Sequence, residues 1–172
     1  MLAAGSAWRI LEAEHDQLRQ IVGDIARMLD DEAWKQPGPQ LDSLLGLIRK
    51  FQDFETRTHR PKGVVLLGAT RGRLPEADQL LDLLEHDGQR CDELLNGALD
   101  LLRAVEAGGR AEAGGVVTLL RQHRELMTRQ LHQEDTVLRS YTAQLLTSEE
   151  WSRVVSSISR EVGNAKDRPG GK

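Results

Sequence analysis

The sequence predicts an all-α protein, an up-down-up-down four-helix bundle followed by a short C-terminal fifth helix. Three observations predict it. Aromatic residues make up 3% of the chain, so the core is built from Leu, Val, Ile and Ala, which suit packed helices better than a sheet. Apolar residues recur at alternating three- and four-residue steps over four long segments. Stretches rich in Gly and Pro separate those segments, and short connections make successive helices antiparallel neighbours. The 172 residues read as one domain over 1–163 and a flexible polar tail over 164–172.

The first helix begins near Ser6, an N-cap residue type. Its inward stripe is Trp8, Leu11, His15, Leu18, Val22, Ile25 and Leu29, a heptad seam with an imidazole in its middle. Asp30–Gln40, with Pro37, Gly38 and Pro39, reads as a loop. The second helix starts at about Leu41 and carries Leu44, Ile48, Phe51, Glu55 and His59 inward. Pro61 lacks a backbone donor, so it kinks or ends that helix. Arg71–Pro75 is a turn, and Pro75 starts the third helix. The third seam is Leu80, Leu84, Asp87, Cys91, Leu94, Ala98, Leu101 and Val105, with His86 and Arg90 on its edge. After the Ala107–Gly115 loop the fourth stripe runs Val116, Leu120, His123, Met127, Gln130, Glu134, Val137, Tyr141. Thr147-Ser-Glu-Glu150 is a capping box that opens the fifth helix, with Trp151, Val154, Val155, Ile158 and Val162 on one face.

Composition excludes several function classes. The longest uncharged apolar run, Gly63–Thr70, is eight residues, too short to span a membrane. Arg9, Glu12 and Glu14 come too early for a secretory signal, and the expected location is the cytoplasm. A net charge of −4 and a pI near 5.8 argue against a nucleic-acid partner. The single cysteine, Cys91, makes no internal disulfide or thiolate metal site and reads as a buried thiol. No phosphate-binding Gly loop, nucleophile elbow or His-Glu-x-x-His is present.

The polar residues on the inward seams share a height. At about 1.5 Å per residue, His15 lies about nine residues up the first helix and His86 about ten up the third. His59 and Glu134 each lie about 18 residues down the second and fourth. All four therefore meet near one level, and the interior of a bundle is where metal sites of this architecture are built. His123 is roughly 16 Å from Glu134 along its helix and reads as a core histidine. His132 faces solvent.

These segments resemble the hemerythrin-like (HHE cation-binding) family over nearly the whole chain. Ile10-Leu-Glu-Ala-Glu-His15 resembles the family's Leu-x-x-Glu-His opening. Thr58-His-Arg-Pro-Lys-Gly63 resembles its His-His-Pro-Lys-Glu signature with two departures. Arg71–Pro75 and Leu83-Leu-Glu-His86 look like its Arg-rich turn and Leu-x-x-x-His helix. Gln130-Leu-His-Gln-Glu-Asp135, Leu138 and Leu146–Trp151 resemble its closing run. The resemblance implies a bundle holding non-haem di-iron through histidines and bridging carboxylates, used for dioxygen binding, oxygen or nitric-oxide sensing, or iron handling.

Carried over residue by residue, it implies metal ligands at His15, His59, His86 and Glu134, with Asp135 as the alternative carboxylate. Gly63 stands where the family has a second-helix carboxylate, Arg90 where a second third-helix histidine often sits, and Gln130 where the family has histidine. His15, His59 and a carboxylate remain as a set suited to one Fe(II) with open positions, and Arg90 is expected to fill the vacated iron position and pair with Glu134. The expected function is non-haem iron binding at this reduced site, with a single ion rather than di-iron and a small diatomic ligand. The alternative is a metal-free bundle whose polar groups satisfy one another, acting as an interaction or small-ligand module. Catalysis is the weakest reading, and the sequence specifies no protein partner.

Overall fold

A computed structural model describes residues 2–166. The described residues are helical, with short connections and no strand. Helix α1 spans Leu2–Leu29, α2 Pro39–Phe54, α3 Arg60–Thr70, α4 Pro75–Glu106, α5 Ala113–Gln133, α6 Arg139–Leu145 and α7 Ser148–Lys166. Two five-residue π-helical turns, Glu55–His59 and Glu134–Leu138, join α2 to α3 and α5 to α6. No helix among the described residues is long and apolar enough to cross a membrane. The tail expected over 164–172 begins inside α7, and its remainder lies outside the described residues.

The chain forms two compact units, each assembled from distant stretches: Met1–Gln17, Asp53–Leu83 and Gln133–Lys172 in the first, Leu18–Gln52 and Leu84–His132 in the second. The first unit's core includes Trp8, Leu11, Leu66, Leu80, Leu81, Leu138, Trp151 and Ile158, all buried. Its capping box forms as the sequence predicts: the Thr147 amide donates to the Glu150 carboxylate at 2.8 Å, and the Glu150 amide donates to Thr147 Oγ1 at 3.3 Å. Arg73 clamps the same carboxylate and also reaches the Leu145 carbonyl, which fixes where α7 starts. Before α4 the chain turns at Gly72, whose φ of 79° favours glycine. The Gly72 amide donates to Asp78 Oδ1 at 2.8 Å.

The second unit buries Leu18, Ile21, Val22 and Ile25 with Leu44, Ile48 and Phe51, and with Leu94, Leu95, Leu102, Val116 and Leu120. Trp34, in a single 3₁₀ turn over Ala33–Lys35, is fully buried. The stretch read as an open loop therefore contributes a core anchor. Cys91 and Met127 are buried.

The π turns explain where the sequence stripes slip. A π turn closes i→i+5 and inserts a residue. The Arg60 amide donates to the Glu55 carbonyl in the first, and the Arg139 amide to the Glu134 carbonyl in the second. Pro61 sits at the start of the helix after the first, where a missing donor costs least. After the second the buried positions move on by one: Leu138 is buried and Val137 is 42% exposed. Thr142 is buried in place of Tyr141.

Candidate metal centre

Within the first unit, His15 on α1, His59 at the end of one π turn and Glu134 at the start of the other bring one ligand atom each within 4.8 Å of one another. Both π turns thus carry a residue of the site, and such turns recur at functional positions because the extra residue re-aims side chains. The two rings stand edge to face with centroids 4.8 Å apart. Nε2 of His15 lies 3.2 Å from Glu134 Oε2 and Nε2 of His59 lies 3.7 Å from the same oxygen. The His15 contact lacks hydrogen-bond alignment, so it is electrostatic and leaves the buried nitrogen open to a further partner.

The other nitrogen of each ring is engaged. His15 Nδ1 and Asp135 Oδ1 are 2.6 Å apart, and His59 Nδ1 lies 3.4 Å from Glu14 Oε2. Glu14 is in turn hydrogen-bonded by Lys62, whose ammonium also donates to the Thr58 carbonyl at 2.6 Å. Lys62 is 1% exposed. A buried ammonium is tolerated only with such partners. Carboxylates behind the Nδ1 atoms fix the ring orientations and raise the basicity of the Nε2 atoms, an arrangement found behind metal-binding imidazoles.

The charges of the cluster are strongly perturbed. Burial works against a charged His59 ring, but the carboxylates of Glu134 and Glu14, with Glu55 beyond, overcome it and raise the ring to about 10. Burial also works against ionised Glu134, yet His15 and His59 hold it well below the usual carboxylate range. Without metal, the cluster therefore closes on an imidazolium–carboxylate pair. Glu55 behaves oppositely: burial pushes its carboxyl up, against the weaker pull of His59 and Arg60. It is 6% exposed, one oxygen lies 3.5 Å from Arg60 Nε, and the other has no hydrogen-bond partner among the described residues.

Of the residues expected at the site, the structure brings together His15, His59 and Glu134 and sets Asp135 behind His15. Consecutive carboxylates reach both nitrogens of one ring because they open a π turn. His86 is exposed and outside the cluster. On α4 it is the seam residues Asp87 and Cys91 that are buried, and at about 100° per residue His86 falls roughly 150° from the centre of the buried arc. Asp87 is held by Arg129 at 3.0 Å. Arg90 is likewise exposed and pairs with Glu93 on its own helix at 2.8 Å. The expected Arg90–Glu134 pair is therefore corrected: the positive charge facing Glu134 comes from His59. Gln130 is buried on α5.

Sequence reading assigned no role to Glu14, Lys62 or Glu55. All three carried a signal: Glu14 and Lys62 stand inside the quoted motifs, and Glu55 lies on the inward stripe four residues before His59.

The donor set tests well against a transition-metal cation. Two oriented imidazoles, one with a buried unbonded nitrogen, and a carboxylate converge from three segments. Comparison with known proteins agrees: a family model described as Hemerythrin HHE cation binding domain matches residues 6–141. No curated protein and no solved structure gives a match.

Proposed function

The chain belongs to the hemerythrin HHE cation-binding family, and we propose that it holds one non-haem iron ion between His15, His59 and Glu134 and uses it to bind a small diatomic ligand, oxygen or nitric oxide, for sensing or iron handling. The proposal includes an up-down-up-down order for its long helices and a cytoplasmic setting. The carrying observation is the convergence of the two imidazoles and one carboxylate within 4.8 Å, with both Nδ1 atoms occupied by carboxylates. Two nitrogen donors and one oxygen donor form a set suited to Fe(II) that leaves coordination positions open.

When bound, the ferrous ion supplies those open positions for a diatomic molecule. The chain's own residues do the rest. Asp135 and Glu14 hold the ring orientations that point Nε2 inward, and Lys62 holds Glu14 in place by a hydrogen bond. Glu55 adds a buried carboxyl whose raised proton affinity keeps further negative charge out of the cluster.

A second reading has its own support. The His59–Glu134 pair already balances charge with a proton in place of a metal, as a metal-free interaction or ligand-binding module would need. Anaerobic calorimetric titration with Fe(II) separates the two. The iron reading expects one site per chain, abolished by His15→Ala or Glu134→Gln and retained by His86→Ala. Absence of a heat of binding in the parent protein supports the metal-free reading instead.

A further inference from the structure

Glu55 opens the π turn that His59 closes. The residue is 6% exposed, and its Oε2 has no hydrogen-bond partner among the described residues. Oε1 lies 3.5 Å from Arg60 Nε. A buried carboxyl left half satisfied costs free energy unless it meets a partner that the chain alone does not supply. Fold stability gives no reason for it, since an apolar side chain of similar volume fills such a space at lower cost.

Glu55, His59, His15 and Glu134 all belong to the first unit. Glu55 precedes His59 by four residues, a spacing that makes side chains neighbours on one helix face. The charges agree with that placement: His59 and Glu134 both act on the Glu55 carboxyl, and Glu55 acts in turn on the His59 ring. The carboxyl therefore stands on the side of its turn that faces the cluster. It is not among the residues whose ligand atoms already lie within 4.8 Å of one another, so it joins them only by turning.

We propose, on the basis of the iron site above, that Glu55 is a fourth protein ligand of the cation held by His15, His59 and Glu134, its carboxylate turning onto the ion as the ion is bound. Rotation between staggered side-chain wells swings a glutamate carboxylate through an arc without moving the backbone. A carboxylate oxygen meets a divalent ion at about 2.0–2.2 Å, closer than a water molecule approaches, so an oxygen closed to solvent is open to an ion seated beside it. Without a cation, Glu134 opposes a second carboxylate nearby. A divalent ion is the largest charge in such a site and reverses that repulsion, so the uncharged carboxyl belongs to the cation-free cluster. Two nitrogen and two oxygen donors still leave positions open on an octahedral ion.

The test titrates Co(II) into the full chain and follows its visible bands, which report the number and kind of its ligands. The parent protein is expected to bind about one ion per chain. Glu55→Gln keeps the shape and removes the anionic oxygen. It is expected to bind Co(II) at least about tenfold more weakly and to show altered bands. In urea denaturation without metal, Glu55→Gln is expected to be as stable as the parent or more so, because an unpaired buried carboxyl becomes an uncharged amide. Equal affinity with identical bands overturns the Glu55 ligand and leaves the three-residue site standing. Weaker binding with unchanged bands makes Glu55 a support for His59 and overturns it as a ligand. A metal-free Glu55→Gln less stable than the parent assigns the carboxyl to the fold instead. A parent protein that takes up no Co(II) overturns the cation site itself, and the Glu55 ligand with it.

Discussion

His15 and His59 stand edge to face with ring centroids 4.8 Å apart, and each turns its Nε2 toward the same oxygen of Glu134. That relationship explains why each ring has its own carboxylate behind it. Two imidazoles packed this closely keep one orientation only if something outside the pair holds them, and Asp135 and Glu14 do so.

The support behind His59 ends in Lys62, so removing its ammonium strands the buried Glu14 carboxylate. Lys62→Met is expected to lower unfolding free energy by about 3 kcal/mol or more. Adding Glu14→Gln to Lys62→Met is expected to recover part of that loss. Arg90→Ala, at an exposed pair, is expected to change stability by less than about 0.5 kcal/mol. Urea denaturation of the four proteins measures all of this, and equal losses for Lys62→Met and Arg90→Ala would contradict the assigned environments.

Metal affinity should depend on pH through His59. The ring is raised to about 10 in the metal-free protein, and a ligating imidazole must be neutral, so binding releases a proton throughout the neutral range. Apparent Fe(II) or Zn(II) affinity therefore rises with pH until about pH 10. Stability of the metal-free protein runs the other way: the His59 contribution is complete below the unfolded value near 6.5 and is lost as pH rises through 10. Titrations in buffers of different ionisation enthalpy count the released proton, and a count of zero at pH 7 would refute the assignment.

Much of the site was legible in the sequence, and its failures have a common physical origin. The α1 seam from Trp8 to Leu29 is buried at every position expected, because an uninterrupted α-helix keeps its period. The fourth stripe holds through Gln130 and then overruns to Val137 and Tyr141, because a π turn leaves no mark in apolar spacing. His86 and Arg90 failed differently. Shared height and the seam's edge point to His86, and motif register to Arg90, but the centre of the seam is Asp87 and Cys91, which are the buried pair. The Glu14–Lys62 pair was invisible to hydropathy, since a charged residue on an apolar face gives no indication of its partner.

Gly63 lies inside α3. A Cβ there meets nothing within 4 Å. Gly63→Ala is accordingly expected to stabilise the protein by about 0.5–1 kcal/mol, from the backbone entropy of the unfolded chain. Thermal unfolding at constant pH measures it. A lower melting temperature would mean the site is more crowded than its open surroundings indicate.

Acid should destabilise the second unit's core through His123. Burial holds the ring at about 4 against an unfolded value of 6.5, so the unfolded chain binds the extra proton. Stability is full above pH 6.5 and falls between there and pH 4, by about 3 kcal/mol from this group alone. Chemical denaturation as a function of pH, compared with His123→Gln, isolates the contribution. The same slope in both proteins would show that His123 does not titrate as its burial requires.

A cation site formed by His15, His59 and Glu134 is checked by elemental analysis of protein purified from cells grown with added iron. The expected content is about one iron per chain, falling to background in His59→Ala and unchanged in His86→Ala. Iron far below one equivalent in the parent protein, at the same level in His59→Ala, would contradict it.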